Sequence, residues 1–219
     1  MIRRRGALFV VSAPSGAGKT TLCRETRQRL PDLAYSVSYT TRSPRLGEKD
    51  GADFCFVSAP EFQALRARGE FAEWAQVHGN LYGTRASVLE GALQSGQDIL
   101  LDIDTQGAAQ LRKRYPEAVL VFIVAPSMSE LEQRLRERRS DAEKEIARRL
   151  DRAREEIATW RSYDYLVVNR DVDDAVNQLT AIIVAERTRT SRLGLTLPDL
   201  ELPSKEAHDR CHFPHWRTH

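Results

Sequence analysis

An apolar run from Ala7 to Val11 leads into Ala13-Pro14-Ser15-Gly16-Ala17-Gly18-Lys19-Thr20, and a helical pattern follows from Thr21 to Leu30. No other feature constrains the fold as much. The run is short enough for a buried strand, and the glycines after it let successive backbone N–H groups wrap one anion. A helix beginning at the same point adds a partial positive charge. Strand, Gly-rich turn, Gly-Lys-Thr and helix together make the phosphate-loop pattern. In that pattern Lys19 reaches the β- and γ-phosphates of a nucleotide, the Thr20 hydroxyl ligates Mg²⁺, and Thr21 continues the site. Ala13 departs from it, standing where the pattern has its first glycine, so the backbone there must keep ordinary angles.

The 219 residues carry a formal net charge of +2. That field is too weak to single out nucleic acid or a membrane surface. Cys23, Cys55 and Cys211 are odd in number and lack Cys-x-x-Cys spacing, as expected of thiols in a reducing compartment, here the cytoplasm. Arg3-Arg4-Arg5 starts like a secretion signal, but cleavage after the short apolar run would destroy the phosphate loop. No segment approaches the roughly 18 apolar residues of a membrane span.

Along the chain, Tyr35 to Thr41 alternates like one strand. Arg42 to Gly51 is a polar loop in which Arg42 and Arg45 flank Pro44. Guanidinium forks match phosphate oxygens, so this loop is either a second anion site or a solvated basic loop. A strand over 53–57 precedes a helix over 58–69, with Ser58 as N-cap and Gly69 as its stop. Residues 70–79 read as strand and turn, 80–84 as a tight polar turn, and 85–95 as a helix. Ile99 to Asp104 is a strand delivering two carboxylates to its C-terminal edge, where ligands bind in open α/β sheets. The competing reading is that Asp104 merely caps the next helix, which runs through Gly107 to Arg114. Ala118 to Val124 fits a central parallel strand, and Ser127 caps another helix. From Arg134 to Arg154 arginines alternate with acids, which suits either a mobile arginine-bearing cover or a salt-bridged surface better than a nucleic-acid helix. A strand at 165–169 and a helix over 171–192 close the globular pattern. The tail after it holds His208, Cys211, His212, His215 and His219 in no named zinc spacing, and is expected to be mobile. Alternating strands and helices make this an α/β fold with a largely parallel sheet, interrupted by a strand-rich insertion over about 35–80.

Several separate motifs then fall in one order: Pro14 to Thr20, Val37 to Arg45, Glu73-Trp74-Ala75, Gly79 to Thr84, and Leu101 to Gly107. With these, the chain strongly resembles guanylate kinase from about Leu8 to Arg189. The resemblance implies a phosphate-loop, three-layer α/β/α fold and a Mg²⁺-dependent transfer of the γ-phosphoryl of ATP to GMP, or dGMP. It implies a core (1–33, 85–133 and 155–192), a GMP-binding subdomain over about 34–84 and a helical lid over about 134–154, with 193–219 as a tail. By the family's pattern, Ser38, Glu73, Thr84 and Asp102 read guanine, while Arg42, Arg45 and Tyr82 hold the GMP phosphate. Residues 13–21 bind ATP; Arg134, Arg138 and Arg149 line its phosphates; Asn169 lies near adenine. Lys19 and the arginines other than Arg45 carry catalysis, and Thr20, with Asp102 or Asp104 through water, serves magnesium.

Hydrogen-bond chemistry agrees with that assignment. Guanine offers donors at N1 and N2 and an acceptor at O6. Carboxylates at Glu73 and Asp102 suit the donors, and hydroxyls at Ser38 or Thr84 suit O6. Adenine would leave a desolvated carboxylate unpartnered. Two further departures stand out. Phe54 occupies a position where the family usually has a tyrosine on the GMP phosphate, and Arg139 replaces a glycine common in the lid turn. Two other functions remain in play: a guanylate-kinase-like binding module without catalysis, and a kinase of another nucleotide or a sugar phosphate. Oligomeric state is not legible.

Overall fold

A computed structural model describes residues 5–77, 79–137 and 143–192. Arg138, Arg139 and the histidine-bearing tail lie outside the described residues. Strands β1 (Leu8–Ser12), β2 (Ala34–Tyr35), β7 (Ile99–Asp102), β8 (Val119–Val124) and β9 (Tyr165–Val168) form one sheet in the order β2-β7-β1-β8-β9. Every pairing in it is parallel.

Both faces of this sheet are covered, which is why its strands read as unbroken apolar runs. Phe9, Val11, Leu100, Val121 and Ile123 point to one side. There they meet α1 (Lys19–Arg29), α5 (Met128–Glu137), α6 (Glu143–Ala158) and α7 (Val172–Arg187). Their alternate neighbours Leu8, Val10, Ile99, Leu101 and Leu120 point to the other side, against α3 (Ala86–Gln94) and α4 (Thr105–Arg114). The period of two along each strand thus builds a three-layer α/β/α body.

A second sheet has the order β4-β3-β6-β5, from β3 (Tyr39–Thr40), β4 (Cys55–Phe56), β5 (Phe71–Val77) and β6 (Asn80–Arg85). Helix α2 (Ala59–Ala67) packs on it through Phe62 and Leu65 against Phe71. Ser58 caps α2 by accepting from the Glu61 N–H, as its sequence suggests.

Three expectations are corrected. The alternating stretch 35–41 is two short strands in different sheets, β2 and β3, because Ser36 to Ser38 carries the chain from one sheet to the other. Residues 80–84 are a strand, not a turn: β6 pairs antiparallel with β5 from Val77↔Asn80 to Phe71↔Arg85. Helix α7 ends at Arg187, and a separate 3₁₀ turn covers Thr190–Arg192.

Candidate active site

The C-terminal end of β1, where β7 and β8 flank it on opposite sides, carries the Gly-rich loop and then α1. Gly16 and Gly18 have φ of 92° and 93°, a region other residues seldom adopt. Gly18 is the N-cap of α1 and brings no side chain to its first N–H groups, which stay available to an anion. A cavity of about 260 Å³ opens over the loop. Its walls are Ala13 to Gly16 and Gly18 to Thr21, with Val77, Asp104 and, from α6, Arg149, Arg152 and Glu156. Arg152 pairs with Glu156 at 3.0 Å and with Asp104 at 3.7 Å.

A second cavity, of about 190 Å³, lies between the two sheets and is lined by Ser38, Phe54, Glu73, Tyr82 and Asp102 among others. Glu73 is only 3% exposed. The Thr84 hydroxyl donates to its Oε1 at 2.6 Å. Burial pushes the Glu73 carboxyl up to about 7, against the pull of that hydrogen bond. Asp102, at the end of β7, holds Lys19 Nζ at 2.5 Å. Lys19 also donates to the Ile103 carbonyl at 2.9 Å. Burial disfavours the lysine's charge, but Asp102, with help from Cys23 and Asp104, outweighs it and the pKa is raised. The two cavities share Lys19, Val77 and Asp104 as lining, so the lysine stands in the wall between an anion loop and a pocket with a buried carboxyl.

This geometry coincides with a family match. Residues 5–186 fit the profile described as Guanylate kinase. The chain belongs to the guanylate kinase family. It is 54% identical to the guanylate kinase of Syntrophotalea carbinolica over 192 residues, 88% of this chain and 91% of that one. It is 52% identical to that of Geobacter metallireducens, over 90% of this chain and 98% of the relative. The crystal structure of guanylate kinase from Anaplasma phagocytophilum superposes with a TM-score of 0.74 at 34% identity, covering 88% of this chain and 92% of that one. The chain is therefore an enzyme that passes a phosphoryl group from ATP to GMP. Neither a non-catalytic binding module nor a kinase of another acceptor is favoured.

The structure sorts the residues that the guanylate kinase resemblance singles out. Ser38, Glu73, Tyr82 and Asp102 meet around the second cavity, with Phe54 in the place of the usual tyrosine. Thr84 does not line it; fully buried, its hydroxyl is committed to Glu73. Arg42 lies beside the cavity over the Phe54 ring, 5.2 Å from its centroid, and forks onto Glu48 at 3.0 and 2.9 Å. Arg45 gives Glu48 its backbone N–H and leaves its side chain exposed. Arg149 lines the first cavity, whereas Arg134 is not in its lining and donates to the Asn169 carbonyl at 2.9 Å. Asp104 is the N-cap of α4, accepting from the Gly107 N–H at 2.9 Å, and lines both cavities as well.

Asn169 is tied to the phosphate loop itself. Expected near adenine, it is 3% exposed and donates from Nδ2 to the Ala17 carbonyl at 2.8 Å. A Cβ on Gly18 would fall 2.3 Å from that nitrogen, so Asn169 and Gly18 interlock beneath the loop. Asn169→Ala should leave the Ala17 carbonyl unsatisfied, a cost of about 1–3 kcal/mol. We expect KM for ATP to rise by roughly tenfold with KM for GMP unchanged, measured by varying each substrate in turn.

Arg152 was missed. The arginines of α6 look alike in sequence, and two of the four pair with acids on the solvent side, Arg148 with Glu145 and Arg154 with Asp151. The available signal was spacing: Arg149 and Arg152 are one turn apart and share a helix face.

Proposed function

We propose that the loop cavity takes ATP, that the second cavity takes GMP or dGMP, and that Lys19 bridges the phosphoryl group as it moves between them. One observation carries this reading: both cavities have Lys19 in their lining. An ammonium has three donors. Asp102 and Ile103 take two, which leaves a third for phosphoryl oxygens. The acceptor is a phosphate oxyanion near neutral pH, so no general base is needed. The work is positioning and charge neutralisation by Lys19, Arg42, Arg149 and Arg152, with Arg134 fixing the Asn169 segment.

Glu73 would span the adjacent N1–H and N2–H donors of guanine, and Ser38 would serve O6. Thr84 keeps the carboxylate in place. Asp102, paired with Lys19, adds negative charge beside the base. Arg42 would exchange Glu48 for the GMP phosphate, joined by Tyr82 and Arg45. The segment over about 34–84, which carries most of the second sheet, would then be the GMP-binding subdomain, and the α5–α6 region, over about 134–154, a lid that closes over ATP and excludes water.

Magnesium fits the donors on hand. Thr20 and Asp104 place hard oxygens in the ATP cavity. Among the described residues no group of three or more His, Cys, Asp or Glu could hold a metal alone, as suits an ion held largely by nucleotide phosphates and water. Bound there, it would neutralise charge on the phosphates; Asp104 is better suited than Asp102, whose carboxylate is engaged by Lys19. We also place the reaction in cytoplasmic purine nucleotide metabolism. The free thiols of Cys23 and Cys55 support that compartment, and among the described residues no helix is long and apolar enough to cross a membrane.

A coupled ADP-release assay with Mg-ATP and GMP, dGMP, AMP, dTMP or ribose phosphates tests the substrate reading. Turnover should follow the guanine nucleotides; equal turnover with AMP would overturn the role of Glu73. Phe54→Tyr gives a finer test. A hydroxyl on that ring restores one hydrogen bond to the phosphate, and KM for GMP should fall by about three- to tenfold. An unchanged KM would remove Phe54 from the phosphate site.

A further inference from the structure

Helix α4 packs against the guanine-side sheet along β5: Arg114 donates to the Phe71 carbonyl at 3.3 Å, and Gly107 and Gln110, one turn apart, meet the strand around Glu73. β5 is the edge of its sheet, so its outward backbone groups need partners from elsewhere. Gln110 supplies them at Trp74. Its Oε1 accepts from the Trp74 N–H at 3.2 Å, and its Nε2 donates to the Trp74 carbonyl at 2.8 Å. One side-chain amide thus stands in for a neighbouring strand beside the residue that follows Glu73. Gly107 meets the carboxylate itself. A Cβ there would lie 2.4 Å from Glu73 Oε2 and 3.1 Å from its Cδ. A glycine inside a helix costs up to about 1 kcal/mol against alanine, so helix propensity does not account for it; clearance for Glu73 does.

We propose that α4 is the template for base selection: Gln110 fixes the height of the β5 backbone at Trp74, and Gly107 leaves the slot into which the Glu73 carboxylate turns. Both are positioning residues, and the proposal rests on Glu73 as the reader of guanine. From the opposite side Thr84 holds Oε1. The carboxylate is therefore bounded on two sides, by a hydroxyl that binds it and by a backbone that admits it. Shifting it by an ångström or so breaks its match to two donors side by side on the base.

The test compares kcat/KM for GMP with that for inosine monophosphate, which keeps N1–H and O6 but lacks the N2 amine. Gly107→Ala and Gln110→Leu should each lower the GMP/inosine monophosphate ratio at least tenfold and raise KM for GMP by about tenfold. KM for ATP should stay within about twofold, since neither residue lines the ATP cavity. A ratio taken on one variant with two acceptors is insensitive to how much of the protein is folded, so a merely structural defect would not move it. Glu73→Gln is the reference. If it collapses the ratio while both α4 variants keep theirs, α4 does not position the carboxylate and the proposal fails. Losses shared equally between the two acceptors, or a parallel rise in KM for ATP, overturn it as well. If Glu73→Gln itself leaves the ratio intact, Glu73 is not the reader, and that reading falls with everything built on it.

Discussion

Lys19→Ala should reduce kcat with Mg-ATP and GMP by roughly 10³-fold while the protein still folds. The side chain sits in the wall shared by both cavities. Among the described residues no other cation lines both: Arg149 and Arg152 line the ATP cavity only. Substitution also strands Asp102. That carboxylate has 12% of its side chain exposed and the lysine 20%, so water reaches the pair, and the stability lost should be smaller than the ~3–5 kcal/mol typical of a broken buried pair. Lys19→Met keeps most of the aliphatic stem and should melt closer to wild type with equally poor turnover. Near-normal kcat in either variant would displace Lys19 from the centre of the reaction. Because Asp102 holds its pKa above the ordinary value, the lysine stays charged across the working range, and no loss of activity on its account is expected between pH 6 and 9.

What could be read in advance follows how local each signal is. The phosphate loop is contiguous, and every part of its chemistry lies within residues 13–21, so pattern and mechanism could be matched before any fold was known. Asn169 shows the opposite case. A motif could mark it as part of the site, but its amide serves Ala17, 152 positions away, and it takes the parallel pairing of β1 with β8 and of β8 with β9 to bring the two together. Strand β6 was hidden by its own composition. Asn80 and Gly83 signal a turn, yet Gly83 sits in a strand where a Cβ would come within 3.0 Å of Phe71, 3.1 Å of Phe62 and 3.2 Å of the Glu73 carbonyl. The glycine answers to packing across the sheet and carries no local turn information. Likewise the alternation of Tyr35 to Thr41 is the same whether one sheet or two receives it; the crossing at Ser36 to Ser38 depends on where β7 and β6 lie.

Glu73→Gln should separate stability from recognition. In the folded protein the carboxyl titrates at about 7 instead of the ordinary 4.5, because burial disfavours its charge. Between those two values the folded state binds more protons than the unfolded one, so stability falls as pH rises through the window and the penalty is complete above about 7. A shift of this size corresponds to on the order of 3 kcal/mol. Glutamine has no charge to desolvate and can still accept from Thr84 through its oxygen. The variant should therefore match wild type near pH 4 and melt higher at pH 8, lacking the decline that the wild-type carboxyl imposes between. Recognition should move the other way. With Thr84 keeping the oxygen, the amide nitrogen takes the other position and sets a donor against the donors of guanine, so kcat/KM for GMP should fall by roughly 10²–10⁴-fold. In the wild type, GMP engages the ionised carboxylate, and KM for GMP should fall as pH rises from 6 to 8. In Glu73→Gln that dependence should vanish. Thermal melts and GMP titrations across this pH range measure both halves. A wild-type stability that does not decline between pH 5 and 7 would mean the carboxyl is not held neutral by its burial. A GMP dependence that persists in the glutamine variant would assign the titration to another group.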